Sequence, residues 1–207
     1  MQRYVAIDVD DTVCHFSGVV AHVLSTFTGK SVPYTHWTSH NWYEQYGDHL
    51  GLREEVMAKV DYSKLMPTSD KWHTFHKELV ELSVTPVYVT ARGSVLGQER
   101  AGTVTAAWLR QWGIDVADNH VIPVTFNTKK GRLLAELGYD VVASIDDYHN
   151  EVIGYVEHFP EAYNVLIDSP INKYRRQLNQ EEIAPTYKID DIDQLRLDVI
   201  EHIQNLP

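Results

Sequence analysis

The sequence predicts an α/β fold: a parallel sheet with helices on both faces and a small helical cap inserted after the first strand. Three observations predict it. Short, nearly continuous runs of β-branched and apolar residues recur along the chain, the pattern of strands buried on both faces. From the second run onward, segments with apolar residues at helical spacing alternate with them. One interval, from roughly Phe16 to Trp72, breaks the alternation and is too long for an ordinary connection.

The first strand is YVAIDV, from Tyr4. The interval after it holds helix-like stretches and an aromatic-rich loop, PYTHWTSHNWYEQYG from Pro33, and reads as a cap over the carboxyl edge of the sheet. The predicted division is therefore residues 1–15 and 73–207 for the core domain and 16–72 for the cap. The second strand is VTPVYVT from Val84, followed by a helix through SVLGQERAGTVTAAWLRQWGI that stops at Gly113. VIPVTF from Val121 precedes KKGRLLAELGY, a helix of about three turns. VVASID from Val141 leads into NEVIGYVEHF, and NVLID from Asn164 is the fifth strand. The tail from Asp191 to Leu206 places Ile192, Leu195, Val199 and Ile203 on one helical stripe. With right-handed crossovers, this order gives a Rossmann-like sheet.

At 207 residues and 43% hydrophobic content, the chain supports one sizeable core with a small accessory domain. Its opening residues, MQRYVAIDVDDTV, carry acid inside their apolar stretch and do not read as a secretory leader. No apolar run approaches the length that spans a bilayer. The single cysteine, Cys14, excludes an intrachain disulfide and a cysteine-rich metal site and reads as a small packing residue. A cytoplasmic protein is expected. The formal net charge of -11 argues against a polynucleotide partner but leaves small anions open where the site supplies positive charge. His36 and His40, and His73 and His76, lie at helical spacings, yet neither pair has a third ligand at a zinc-site spacing.

Ligands of open parallel sheets bind beyond the carboxyl ends of the strands. The first strand delivers Asp8, Asp10, Asp11 and Thr12 there, the second Thr90, Ala91 and Arg92, the third Thr128, Lys129 and Lys130, and the fourth Asp146 and Asp147. Crowded carboxylates repel, and a hard cation, Mg²⁺ foremost, removes that repulsion. A carboxylate can attack phosphorus, and a second one two residues later lies on the same side of an extended chain and can protonate a leaving alcohol. A threonine hydroxyl and a lysine ammonium can hold the remaining phosphate oxygens. Asp11 or Thr12 can instead serve as a helix N-cap.

In this order, these pieces resemble the haloacid dehalogenase (HAD) superfamily. Asp8-Val9-Asp10-Asp11-Thr12 matches its first motif, Thr90 closing VYVT the second, Lys129 or Lys130 the third, and Asp146-Asp147 the fourth. The resemblance implies Asp8 as nucleophile and Mg²⁺ ligand. It implies Asp10 as general acid/base with its backbone carbonyl on the metal, Thr90 on phosphate, and Asp146 as the other metal ligand assisted by Asp147. Lys130 is preferred to Lys129, because a Lys-Gly pair before an apolar helix is common at that motif. Thr90, Ala91, Arg92 and Lys130 are then the expected phosphate contacts.

A second resemblance concerns substrate. YNVLIDSPINKYRR, with Asp168, Pro170 and Asn172, looks like the late D-x-P-x-N segment of the 5′(3′)-deoxyribonucleotidases, whose first motif often reads D-M-D-G-V. It implies hydrolysis of (deoxy)nucleoside 5′-monophosphates, with Trp37 and Trp42 of the cap available to stack on a base. These relatives often dimerise, which leaves a homodimer open. The competing expectations are a phosphatase of another small ester such as a sugar phosphate, a polynucleotide 3′-phosphatase, and a non-catalytic binding protein on the same fold. Lys173, Arg175 and Arg176 form a basic cluster that either attracts phosphate or stays solvated.

Overall fold

A computed structural model describes residues 2–37, 50–169 and 184–207. Trp42, Pro170, Asn172, Lys173, Arg175 and Arg176 lie outside the described residues, as does His40. Six strands form one sheet: β1 Arg3–Asp8, β2 Val84–Thr90, β3 Val121–Pro123, β4 Asp140–Asp146, β5 Tyr163–Asp168 and β6 Thr186–Lys188. Their order is β3-β2-β1-β4-β5-β6, and every neighbouring pair is parallel. The chain winds outward in one direction from β1 to β3 and in the other from β4 to β6. The switch point therefore falls between the carboxyl ends of β1 and β4, where a doubly wound sheet opens its crevice.

Alternation along β1 explains the two-sided core. Val5 and Ile7 enter the larger apolar cluster, while Ala6 enters a smaller one with Val87, Val89, Leu134 and Tyr155 on the opposite face. Helices α3 (Trp72–Glu81), α5 (Gln98–Gln111) and α8 (Ile192–Gln204) cover the first face. Helices α6 (Lys130–Glu136) and α7 (His149–His158) cover the second. Ile192, Leu195, Val199 and Ile203 of α8 are all buried, as their spacing predicts.

Three local features differ from the sequence expectation. The segment after β2 is not one helix but two, α4 (Gly93–Leu96) and α5, broken at Gly97, whose φ of 77° a residue with a side chain rarely adopts. Helix α6 has 7 residues rather than about three turns, because the chain turns out at Gly138 with φ 77°. β6 was not expected, since a three-residue edge strand reading Thr-Tyr-Lys has no apolar run to announce it.

Between β1 and α3 the described residues form helices and no strand: α1 (Phe16–Thr28), α2 (Leu50–Ala58) and 3₁₀ turns at Tyr34–His36 and Tyr62–Lys64. Val20, Leu24, Trp37, Val56 and Leu65 of this segment are buried in the same cluster as the sheet's first face. The two passages joining it to the sheet are bonded to each other. The His15 amide donates to the Met66 carbonyl (2.9 Å), and the Thr68 amide donates to the Val13 carbonyl (2.8 Å).

Candidate active site

Asp8 ends β1 and Asp146 ends β4, so the switch point carries a carboxylate on each side. Lys130 enters from the first position of α6. Its Nζ donates to Asp8 Oδ1 and, at 2.8 Å, to Asp146 Oδ2. The Lys130 amide donates to Glu151 Oε2 of α7 at 2.8 Å, which anchors the start of α6. Lys129, by contrast, is 54% exposed and reaches only the outer oxygen of Glu151, at 4.0 Å.

Asp147 joins the pair, and one oxygen each of Asp8, Asp146 and Asp147 lie within 4.8 Å of one another. All three residues are buried. Burial pushes the Asp8 carboxyl up to about 7, against the pull of the Lys130 ammonium. Burial also raises Asp146, and raises Asp147 well above the carboxylate range with help from the Asp8 charge. Among the described residues, three buried carboxylates crowd around one ammonium, that of Lys130. Asp8 Oδ2 has no hydrogen-bond partner among the described residues. An oxygen-only donor set with an orphaned carboxylate oxygen fits a hard divalent cation.

After Asp8 the chain reverses tightly. The amides of Val13 and Cys14 both donate to the Val9 carbonyl at 2.9 Å, and Asp11 takes a left-handed conformation with φ 61°. Aspartate tolerates it because its side chain bonds locally. Asp11 Oδ1 accepts from the amides of Phe16 (3.0 Å) and Ser17 (2.8 Å), and Oδ2 accepts from the Ser17 hydroxyl. The third acid of the opening cluster thus caps α1. Burial pushes its carboxyl up to about 6, with the Ser17 bonds opposing.

Asp10 faces the crevice with 21% of its side chain exposed, gripped by Arg92. Arg92 and Ala91 follow Thr90, whose buried Oγ1 accepts the Arg92 amide at 3.3 Å. These groups floor a cavity of about 610 Å³, within the range of small-molecule sites. Asp8, Asp10, Ala91, Arg92, Lys130 and Asp146 all line it, whereas Thr90 sits behind the lining. Trp37 also lines the cavity, but at 1% exposure its ring is part of the apolar cluster and forms a wall.

Arg53, Phe126, Tyr148 and Glu151 are among the lining residues that the sequence did not single out. Arg53 of α2 lies over the ring of Phe126, 3.8 Å from its centroid, so the cap segment and the loop after β3 meet at the mouth of the cavity. Phe126 is 49% exposed there. Of the other features, His76 is buried with both ring nitrogens engaged, by the Tyr88 hydroxyl and the Asp115 carbonyl. Asn150 Nδ2 donates to the Tyr148 hydroxyl at 3.0 Å.

The fold is that of HAD hydrolases. Over 96% of its length the chain superposes on 95% of a HAD family hydrolase from Deinococcus radiodurans R1, solved with bound phosphate and sodium, at a TM-score of 0.63 and 13% identity. It covers 99% of its length and 91% of a Bacteroides vulgatus protein provisionally named a beta-phosphoglucomutase, at a TM-score of 0.62 and 11% identity. A hydrolase from Pseudomonas syringae matches over 94% of this chain and 98% of its own, at a TM-score of 0.56 and 11% identity. Likeness at such identities is likeness of fold. No family model matches the chain, and no curated protein does.

Proposed function

We propose that this chain, built on the HAD hydrolase fold, is a Mg²⁺-dependent phosphatase that hydrolyses (deoxy)nucleoside 5′-monophosphates through an aspartyl-phosphate. One observation carries the reading. Asp8, Lys130, Asp146 and Asp147 converge at the β1/β4 switch point, with Asp10 beside them on the floor of the same cavity. Asp8 and Asp146, with the Asp10 backbone carbonyl and Asp147 in support, would hold Mg²⁺, which when bound neutralises charge on the phosphoryl oxygens.

The chain's own residues then divide the work. An Asp8 carboxylate oxygen attacks phosphorus, the bond from phosphorus to the ester oxygen breaks, and its electron pair leaves with that oxygen. Asp10 donates a proton to the departing oxygen. Its carboxylate next takes a proton from water, whose oxygen attacks phosphorus and releases Asp8. Lys130 is the proposed holder of the phosphoryl oxygens and offsets the carboxylates through the whole cycle, while Thr90 would reach them only from behind the lining. The cap in this reading is residues 16–72 over a core of 1–15 and 73–207. A cytoplasmic location and a homodimer remain part of the proposal.

The nucleotide assignment rests on Phe126, half-exposed at the mouth with the Arg53 guanidinium over its ring, a pair against which a base can stack, in addition to the late D-x-P-x-N resemblance. A second reading, a sugar phosphatase, is favoured by one observation: Trp37 is buried in the apolar cluster and offers no free ring face. Phosphate release is to be measured from ribo- and deoxyribonucleoside 5′- and 3′-monophosphates and from sugar phosphates, with Mg²⁺ and with EDTA. Mg²⁺-dependent turnover of 5′-nucleotides supports the assignment. Turnover confined to sugar phosphates transfers it to the second reading, and no turnover of any ester removes the phosphatase.

A further inference from the structure

We infer that Arg92 is the positioning residue for Asp10: its guanidinium sets where the general acid/base stands, instead of binding phosphate. The inference rests on the phosphatase reading. Arg92 Nε donates to Asp10 Oδ1 at 3.0 Å and Oδ2 at 3.1 Å, and Nη2 donates to Oδ1 at 2.6 Å. The Nε–Nη2 edge of the guanidinium is thus committed to one carboxylate, the geometry that fixes orientation as well as charge.

The fork is itself held from several sides. Nη1 donates to Thr105 Oγ1 of α5 at 3.1 Å. The guanidinium carbon lies 5.0 Å from the centroid of Tyr62, in the 3₁₀ turn before α3. Nη2 lies 3.4 Å from the Cys14 sulfur, and the Arg92 amide is tied to Thr90. The Arg92 side chain is 1% exposed, while that of Asp10 is 21% exposed. A buried, tethered cation therefore presents a half-open carboxylate to the cavity. A phosphate ligand would have its donors turned the other way. Cys14, which the reaction does not use, completes the rear wall of this pair.

The step that depends on Asp10 placement is proton donation to the leaving oxygen as the bond to phosphorus breaks. An alkoxide needs that proton. p-Nitrophenolate leaves as a stable anion and does not. The value of kcat/KM reports the steps through that cleavage and leaves the later hydrolysis of the phospho-enzyme aside.

The test compares a nucleoside 5′-monophosphate with p-nitrophenyl phosphate in Arg92→Lys, which keeps the charge and loses the fork. We expect kcat/KM for the nucleotide to fall about 100-fold and that for p-nitrophenyl phosphate to fall less than about 3-fold. In an Asp10→Asn background, Arg92→Lys adds almost no further loss, because the two act as a unit. Thr105→Val releases Nη1 without touching Asp10 and produces the same selectivity at smaller size. It decides the matter if Arg92→Lys melts cooperatively at no temperature. Equal losses on both esters, or losses that multiply with Asp10→Asn, overturn the inference. Wild-type protein that hydrolyses neither ester removes the phosphatase reading and this inference with it.

Discussion

Gly131, at the second position of α6, rests directly on the backbone of Gly154 in α7: a Cβ at residue 131 would lie 2.5 Å from the Gly154 carbonyl oxygen. That approach brings the start of α6, and with it Lys130, down onto Asp8 and Asp146. The Lys-Gly pair is therefore a packing requirement as much as a chemical one.

Gly131→Ala forces two helix backbones apart, because the obstacle is a carbonyl and not a flexible side chain. It is expected to cost about 1–3 kcal/mol in urea unfolding and to lower kcat more than KM changes. Gly102→Ala in α5 is the control. Its added Cβ meets only the Pro123 ring, Cγ at 3.7 Å and Cδ at 3.9 Å, and it should be neutral or stabilising by up to about 1 kcal/mol.

Asp11 combines a left-handed backbone with the cap of α1, and substitutions separate the two. Asp11→Ala loses the cap and keeps the backbone strain, a cost of about 2 kcal/mol. Asp11→Gly loses the cap but relieves the strain, so it should unfold at higher urea than Asp11→Ala. The reverse order would show that the left-handed backbone at residue 11 stores little strain, with the extra freedom of glycine in the unfolded chain deciding instead.

Lys130→Met leaves Asp8 and Asp146 buried without their ammonium, which costs about 3–5 kcal/mol when no other cation is present. Thermal melts in EDTA should show a large drop. Mg²⁺ should restore part of it, since a divalent cation serves the same carboxylates. Identical melts of Lys130→Met in EDTA and in Mg²⁺ would count against a metal at this cluster.

His76 gives a pH dependence of definite sign. Its Nε2–H must donate to the Asp115 carbonyl, and in the neutral ring, which burial favours, Nδ1 accepts from the Tyr88 hydroxyl. Burial pulls its pKa below the ordinary value. Below about pH 6.5 the unfolded chain binds a proton that the folded one resists, so this contribution to stability is lost as pH falls. The stability difference between wild type and His76→Gln should shrink between pH 7.5 and pH 5.5. A difference independent of pH would mean that the ring titrates alike in both states.

Much of the architecture is legible in the residues, for physical reasons that differ by element. β1, β2, β4 and β5 announce themselves because burial on both faces demands unbroken apolar runs. β6 does not, because an edge strand makes no such demand. The stripe on α8 follows from one-sided burial, whereas the break at Gly97 depends on a dihedral that composition alone leaves open. At the site, Asp8, Asp10, Lys130 and Asp146 are visible as strand and helix ends. The partnership of Arg53 with Phe126 is not, since it joins a cap helix to a core loop with no local signature. The direction of the Arg92 fork toward Asp10 likewise needs Thr105, Tyr62 and Cys14 in place before it can be seen.

The most direct test of the central claim is to trap the phosphoryl group. The protein is mixed with Mg²⁺ and an excess of the ester it turns over fastest, quenched in acid within a single turnover, digested and analysed by mass spectrometry. One added phosphoryl group is expected on the peptide containing Asp8, located on Asp8 itself and absent from Asp8→Asn. Turnover of the ester with no phosphoryl-enzyme at any quench time, or with the group on another residue, would contradict it.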